Sequence, residues 1–166
     1  MKRVACGVLL MIVAMANAVA APGGEDKSFR ASDTRSIDGV LAALYGALSG
    51  PAGTPRDWKR LRTLFHEQAR VHTVLWKGGE RVEVESVSVE EFIRRAAEYM
   101  STQSFYEREI ARRCEQVGHA AQVLSTSVIL RAPDDPFALR TCNNTVQLYY
   151  DGRRWWILSL LREDER

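Results

Sequence analysis

The sequence predicts an α+β domain in which helices pack against one face of an antiparallel meander. Three observations carry this. Asp151-Gly152 sits between two strand-like runs, TCNNTVQLYY (141–150) and RRWWILSLL (153–161). Asp-Gly in that setting is a strong hairpin signal, because both turn positions take positive φ. Upstream, 3.6-residue apolar periodicity alternates with short runs of period two. Finally, 166 residues with 46% hydrophobic content suit one domain with its own core.

The elements follow in order. Residues 1–20 read as a signal peptide: Lys2 and Arg3, an apolar run over 4–16, and Ala18-Val19-Ala20 as a cleavage site. That run is shorter than the roughly 20 residues a bilayer span needs, so no stable membrane span is expected. A retained anchor is the alternative. The mature protein would then be exported, periplasmic or secreted. Residues 21–35, polar and aperiodic, read as a flexible tether, and 36–166 as the folded domain. Ser36 can cap a helix over 37–48 with Ile37, Val40, Leu41, Leu44 and Leu48 on one face. Breakers at Gly50, Pro51, Gly53 and Pro55 require a loop. A short helix over 57–66 follows, with His66 as its C-terminal cap, then strands over 70–76 and 81–87. Ser88 and Glu91 have capping-box spacing and open a helix over 89–100, with Phe92, Ile93, Ala96 and Tyr99 as its buried stripe. Strands over 106–116, 119–131, 141–150 and 154–162 complete the order α-α-β-β-α-β-β-β-β.

Charge and cysteine content exclude several classes. Without residues 1–20 the chain carries 21 Lys+Arg against 21 Asp+Glu. A balanced chain gives no electrostatic case for nucleic acid, whose binding depends on phosphate neutralisation. Cys114 and Cys142 remain after signal removal. A turn at Val117-Gly118 puts Cys114 opposite Ala121, and a loop at 132–137 puts Cys142 near Ser127. Those rows lie about 20 Å apart along the strands, too far for a disulfide, so two free, buried thiols are expected. No Cys/His cluster suggests a metal, and no cofactor is expected.

This order resembles the nuclear transport factor 2-like superfamily, whose members include SnoaL-like and polyketide-cyclase-like proteins. The resemblance rests on DWKRLRTLFHEQARV (57–71), SVEEFIRRA (88–96) and VQLYYDGRRWWILSLLRED (146–164). The last is similar to the terminal hairpin of exported bacterial members. What the resemblance implies is a cone-shaped, curved antiparallel sheet packed on three N-terminal helices, the nuclear transport factor 2-like or cystatin-like architecture, with an internal pocket. The same cone serves as enzyme, binding protein or dimerisation module, so the fold does not decide the function.

Strand phase suggests what lines the pocket. With Tyr150 facing Arg153 across the turn, Asn144 lies opposite Ser159 and Val146 opposite Ile157; Asn144 also lies near Ser125, and Ser125 near Ile110. One face then carries Val146, Leu148, Trp155, Ile157 and Leu161, crossed by a polar row of Ser125, Asn144 and Ser159. Such a row either holds the sheet together or orients a ligand. Tyr45, Phe92, Tyr99, Val146 and Trp155 would wall the cavity. Trp156, Leu158 and Leu160 would face outward, forming a homodimer surface or lying under the tether or a loop.

Candidate catalytic residues are few. In ketosteroid isomerase, an enzyme of the resembled fold, the base is a carboxylate at a position that here is Thr73. His72 beside it is the candidate base, or else a half-buried strand residue. Arg108 and Arg112 could meet an anionic ligand or pair with Glu91 or Glu98. Two functions stay open: a domain binding a small, mostly apolar molecule, and a cofactor-independent lyase or isomerase of the polyketide-cyclase type.

Overall fold

The computed structural model describes residues 30–78 and 81–165, so the expected signal peptide and most of the expected tether lie outside the described residues. The tether's last residues are not a tether. Ala31–Thr34 forms α1, in which Asp33 and Thr34 are buried. Arg60 fastens it by donating to both Asp33 carboxylate oxygens, at 2.6 and 3.0 Å. Helix α2, Ile37–Leu48, starts where Ser36 Oγ accepts from the Gly39 amide at 3.0 Å. Gly39 also lets α1 come close, since a Cβ there would lie 2.6 Å from the Ser32 carbonyl oxygen.

The loop after α2 is built around Arg56, which is buried and donates to the carbonyls of Leu48, Gly50, Pro51 and Thr54. Helix α3, Trp58–Arg62, is capped by Asp57 but ends four residues before the expected His66. The chain has already joined the sheet there: the Leu64 carbonyl accepts from the Ile157 amide at 2.9 Å. Strand β1 runs Phe65–Trp76 and β2 runs Val82–Ser88. His66 is therefore a strand residue and not a helix cap. Helix α4, Val89–Met100, opens on Ser88 as its side chain accepts from the Glu91 amide. Strands β3 (Tyr106–Val117), β4 (Ala120–Leu130), β5 (Arg140–Tyr150) and β6 (Trp155–Asp164) follow.

The six strands form one open sheet in the order β2-β1-β6-β5-β4-β3. It is not antiparallel throughout: β1 pairs with β6 in parallel, because the terminal hairpin inserts beside β1. Helix α2 packs on the concave side. Its fully buried Val40, Leu41, Leu44 and Leu48 share a core with Val71, Val123, Val146, Ile157 and Leu160. Burial of each such side chain stabilises the fold by roughly 1.5–3 kcal/mol.

The terminal hairpin forms, but around a four-residue connection. Tyr150 pairs with Trp155, and Asp151 Oδ1 accepts from the amides of Arg153 and Arg154, both at 2.8 Å. This moves the pairing by two residues and leaves the facing of Trp155 and Ile157 unchanged. A bulge then places an extra residue, Leu158, between the Leu148↔Ile157 and Gln147↔Ser159 pairs. Beyond it the faces exchange. Leu160 is fully buried, Leu161 is partly exposed, and Asn144 lies opposite Arg162 instead of Ser159. The outer face expected for Trp156, Leu158 and Leu160 thus loses Leu160. Trp156 is covered from within the chain. Its indole N–H donates to Asp151 Oδ2 at 2.8 Å, and the Arg154 guanidinium stands 3.8 Å from the ring centroid.

A second bulge, at Ile110, changes the facing of β3. Ser125 pairs with Arg112, and Ile110 is exposed. Cys114 pairs with Val123 instead of Ala121, whereas Ser127 pairs with Cys142 as expected. Both thiols are free, but Cys114 is exposed and only Cys142 is buried. Among the described residues no helix is long and apolar enough to cross a membrane.

Candidate functional site

The space that α2 leaves open lies between α4 and the sheet. It is a cavity of about 380 Å³ lined by Phe92, Ala96, Tyr99 and Met100 from α4, Leu75 from β1, Phe105 and Ile129. That volume is in the range of small-molecule sites, which combine apolar walls with a few placed polar groups. Here the polar groups are Thr73, Arg140, Arg162 and Asp164, with Glu85 and Arg95 also in the lining. The stripe along α4 reaches this wall because helical spacing puts positions 92, 96 and 99 on one face. Tyr99 stays 43% exposed because it stands at the opening, not in the core.

Behind the cavity a polar network crosses the concave face. The Glu107 side chain is 0% exposed and that of Arg162 is 13% exposed. Arg162 Nη2 donates to Glu107 Oε1 at 2.9 Å and to Oε2 at 3.0 Å. Glu107 Oε1 also accepts from Ser127 Oγ at 2.7 Å and from Asn144 Nδ2 at 3.4 Å. Asn144 Nδ2 reaches Ser127 Oγ at 3.1 Å and Tyr45 Oη at 3.4 Å. Ser125 donates to Glu109, so the Tyr45 hydroxyl donates to Ser125 Oγ, 2.7 Å away. Glu109 and Asp38 both accept from Arg112.

These surroundings set the protonation states. Burial pushes the Tyr45 phenol up to about 12; the Ser125 hydrogen bond opposes this, and the charges of Glu107 and Glu109 add to it. Burial would lower the Arg162 guanidinium, but the Glu107 carboxylate more than offsets that and holds it cationic. Burial likewise raises the Cys142 thiol.

The structure divides the residues expected at the pocket. Phe92 and Tyr99 line the cavity. Tyr45, Ser125 and Asn144 converge as expected, but within the network and not on the cavity wall. Val146 and Trp155 are core residues. Ser159 lies past the bulge, paired with Gln147 and Arg70, both exposed, and so faces outward. His72 is also corrected. Its neighbours Val71 and Thr73 pair with the inward Leu160 and Arg162, while His72 pairs with Leu161 on the other face. It cannot act as a base inside the cone. Arg108 is exposed, and Arg112 is engaged by Glu109 and Asp38 instead of Glu91 or Glu98.

Sequence reasoning missed Glu107, Arg140 and Arg162. Alternation along 106–109 places Glu107 and Glu109 on one face, a signal that was present. Arg162 became visible only with the bulge. Among the described residues no group of three or more His, Cys, Asp or Glu could hold a metal.

Comparison with solved structures settles the architecture. A protein with a cystatin-like fold from Nostoc punctiforme superposes with a TM-score of 0.60 at 11% identity, over 78% of this chain and 88% of the other. An NTF2-like protein of unknown function from Shewanella baltica gives 0.53 at 13% identity, over 76% and 89%. The chain has the nuclear transport factor 2-like fold. A third protein of this fold, a candidate dehydratase from Streptomyces avermitilis, gives 0.54 at 18% identity, over 76% and 91%. No family model matches the sequence, and no curated protein matches it. At these identities the likeness extends to the fold alone.

Proposed function

We propose that this nuclear transport factor 2-like domain binds a small, mostly apolar molecule in the cavity between α4 and the sheet. The observation that carries the reading is the cavity itself: about 380 Å³, walled by Phe92, Ala96, Tyr99, Met100 and Phe105, with a few polar groups among the lining. Export through residues 1–20, and pairing of two copies through the outer face around Leu158, belong to the same proposal. Intact mass from the native host and light scattering test them separately.

A lyase or isomerase would need a general base in the cone. The fold it shares with a candidate dehydratase keeps that reading in view. Glu107 is the buried carboxylate nearest in kind, but Arg162 and Ser127 already engage it. Thr73 and His72 cannot take its place. Binding without chemistry is therefore the better-supported reading. Ala96→Trp, which puts an indole into the cavity from a half-buried helical position, tests it. The variant should keep its thermal midpoint and lose uptake of an apolar naphthalene probe. Undiminished uptake would show that the cavity is not the site.

A further inference from the structure

One side of the cavity is chemically specific. Thr73 on β1 and Arg162 on β6 are register partners, and both line it. All hydrogen bonds of Arg162 run through Nη2, to Glu107 and at 3.8 Å to Cys142 Sγ. Its Nε and Nη1 make no hydrogen bond among the described residues, and neither does the Thr73 hydroxyl. A guanidinium whose side chain is only 13% exposed thus keeps two of its three nitrogens without an acceptor. Both nitrogens are open to the cavity and not sealed in the core, so an acceptor carried by a ligand can reach them.

Charge says which acceptor. A second cavity of about 530 Å³ adjoins the first and shares Tyr99 and Arg140 with it. Together they are lined by four arginines, Arg95, Arg131, Arg140 and Arg162, against two carboxylates, Glu85 and Asp164. Glu85 is committed to Arg95 at 2.8 Å, and Asp164 to Arg140 at 3.3 Å. Neither carboxylate is paired with Arg162, whose own counter-ion, Glu107, lies behind it and outside the lining.

We infer that the ligand is an apolar monocarboxylate, its body against Phe92, Ala96 and Met100 and its carboxylate against Arg162 and Thr73. This rests on the cavity being a ligand site. Because Glu107 occupies Nη2, the ligand takes Nε or Nη1 singly, with the Thr73 hydroxyl as second donor. A neutral ligand gains less from a cationic donor than a charged one does. A phosphate brings a second charge and more acceptors than Thr73, Nε and Nη1 satisfy.

Titration calorimetry with 2-naphthoate and 2-naphthamide, nearly isosteric and different in charge, tests the inference. The carboxylate should bind at least about tenfold more tightly than the amide, as expected for one charge-assisted hydrogen bond. In the double variant Glu107→Leu/Arg162→Met the naphthoate affinity should fall to that of naphthamide, whose own affinity stays within about twofold. Thr73→Val should lower naphthoate affinity severalfold and serves as a second, milder variant. Equal binding of both probes to the wild-type protein would overturn the carboxylate assignment and leave the cavity reading standing. No binding of either probe would overturn both. A preference that persists in the double variant would overturn Arg162 as the anchor.

Discussion

Breaking the Glu107–Arg162 pair one partner at a time should cost far more than removing both. In Glu107→Leu, Arg162 Nη2 keeps only the Cys142 sulfur at 3.8 Å. Its charge can still reach water through the cavity, so the cost falls at the lower end of the 3–5 kcal/mol typical of a broken buried pair, about 3 kcal/mol. In Arg162→Met, Glu107 keeps Ser127 and Asn144 but is 0% exposed with no counter-ion, which costs about 3–5 kcal/mol. The double variant loses only the acceptor for Ser127 and Asn144, which still bond to each other at 3.1 Å, a loss of about 1–2 kcal/mol. The cycle therefore predicts a coupling of at least about 3 kcal/mol. In urea, with a slope of about 2 kcal/mol/M for a domain of this size, each single variant should lower the midpoint by about 1.5–2.5 M and the double by under about 1 M. Arg62–Glu90, equally well formed at 2.6 Å but 43% and 66% exposed, is the control and should couple by under about 1 kcal/mol. Additive single and double effects, or single losses below about 1 kcal/mol, would refute the view that the two charges are coupled as a largely buried pair.

Three further outcomes are expected. Tyr45 should titrate near 12 by ultraviolet difference absorbance. Because an unfolded phenol loses its proton near 10, stability should fall as pH rises from about 10 to 12, by up to about 3 kcal/mol, and Tyr45→Phe should remove that component. Asn144→Leu should cost only about 1–2 kcal/mol, since Tyr45, Ser127 and Glu107 each keep another partner, and it should leave naphthoate binding unchanged because Asn144 does not line the cavity. Peptide mapping after alkylation of the native protein should find Cys114 labelled and Cys142 protected until unfolding.

Much of the fold was legible because local signals agreed with the global arrangement. Ser36 and Ser88 cap their helices where their spacing says they should, and α2 and α4 keep the expected bounds. The failures came from terms that periodicity does not carry. Helix α3 stops at Arg62 because the following residues bond to β6, a partner almost 100 positions later in the chain. Asp151-Gly152 signalled a hairpin, but the Asp side chain bonds the next amides and opens a four-residue loop.

The errors that mattered for function were the two bulges. The wrong loop length moved the register by an even number and left every side chain on its proper face. An extra residue at Leu158 moves it by one, which sends Leu160 and Arg162 inward and Leu161 and Ser159 outward. Regular alternation would place the arginine on the convex face, where it would be one more surface charge. The bulge instead carries it to the concave side beside Thr73, in register with Asn144 and within reach of Glu107. The extra residue at Ile110 does the complementary work on β3, leaving Glu107, Glu109 and Arg112 facing inward on either side of it. Neither bulge has a glycine or proline to announce it, so the ionic end of the cavity is written in side-chain packing across three strands and not in any one of them.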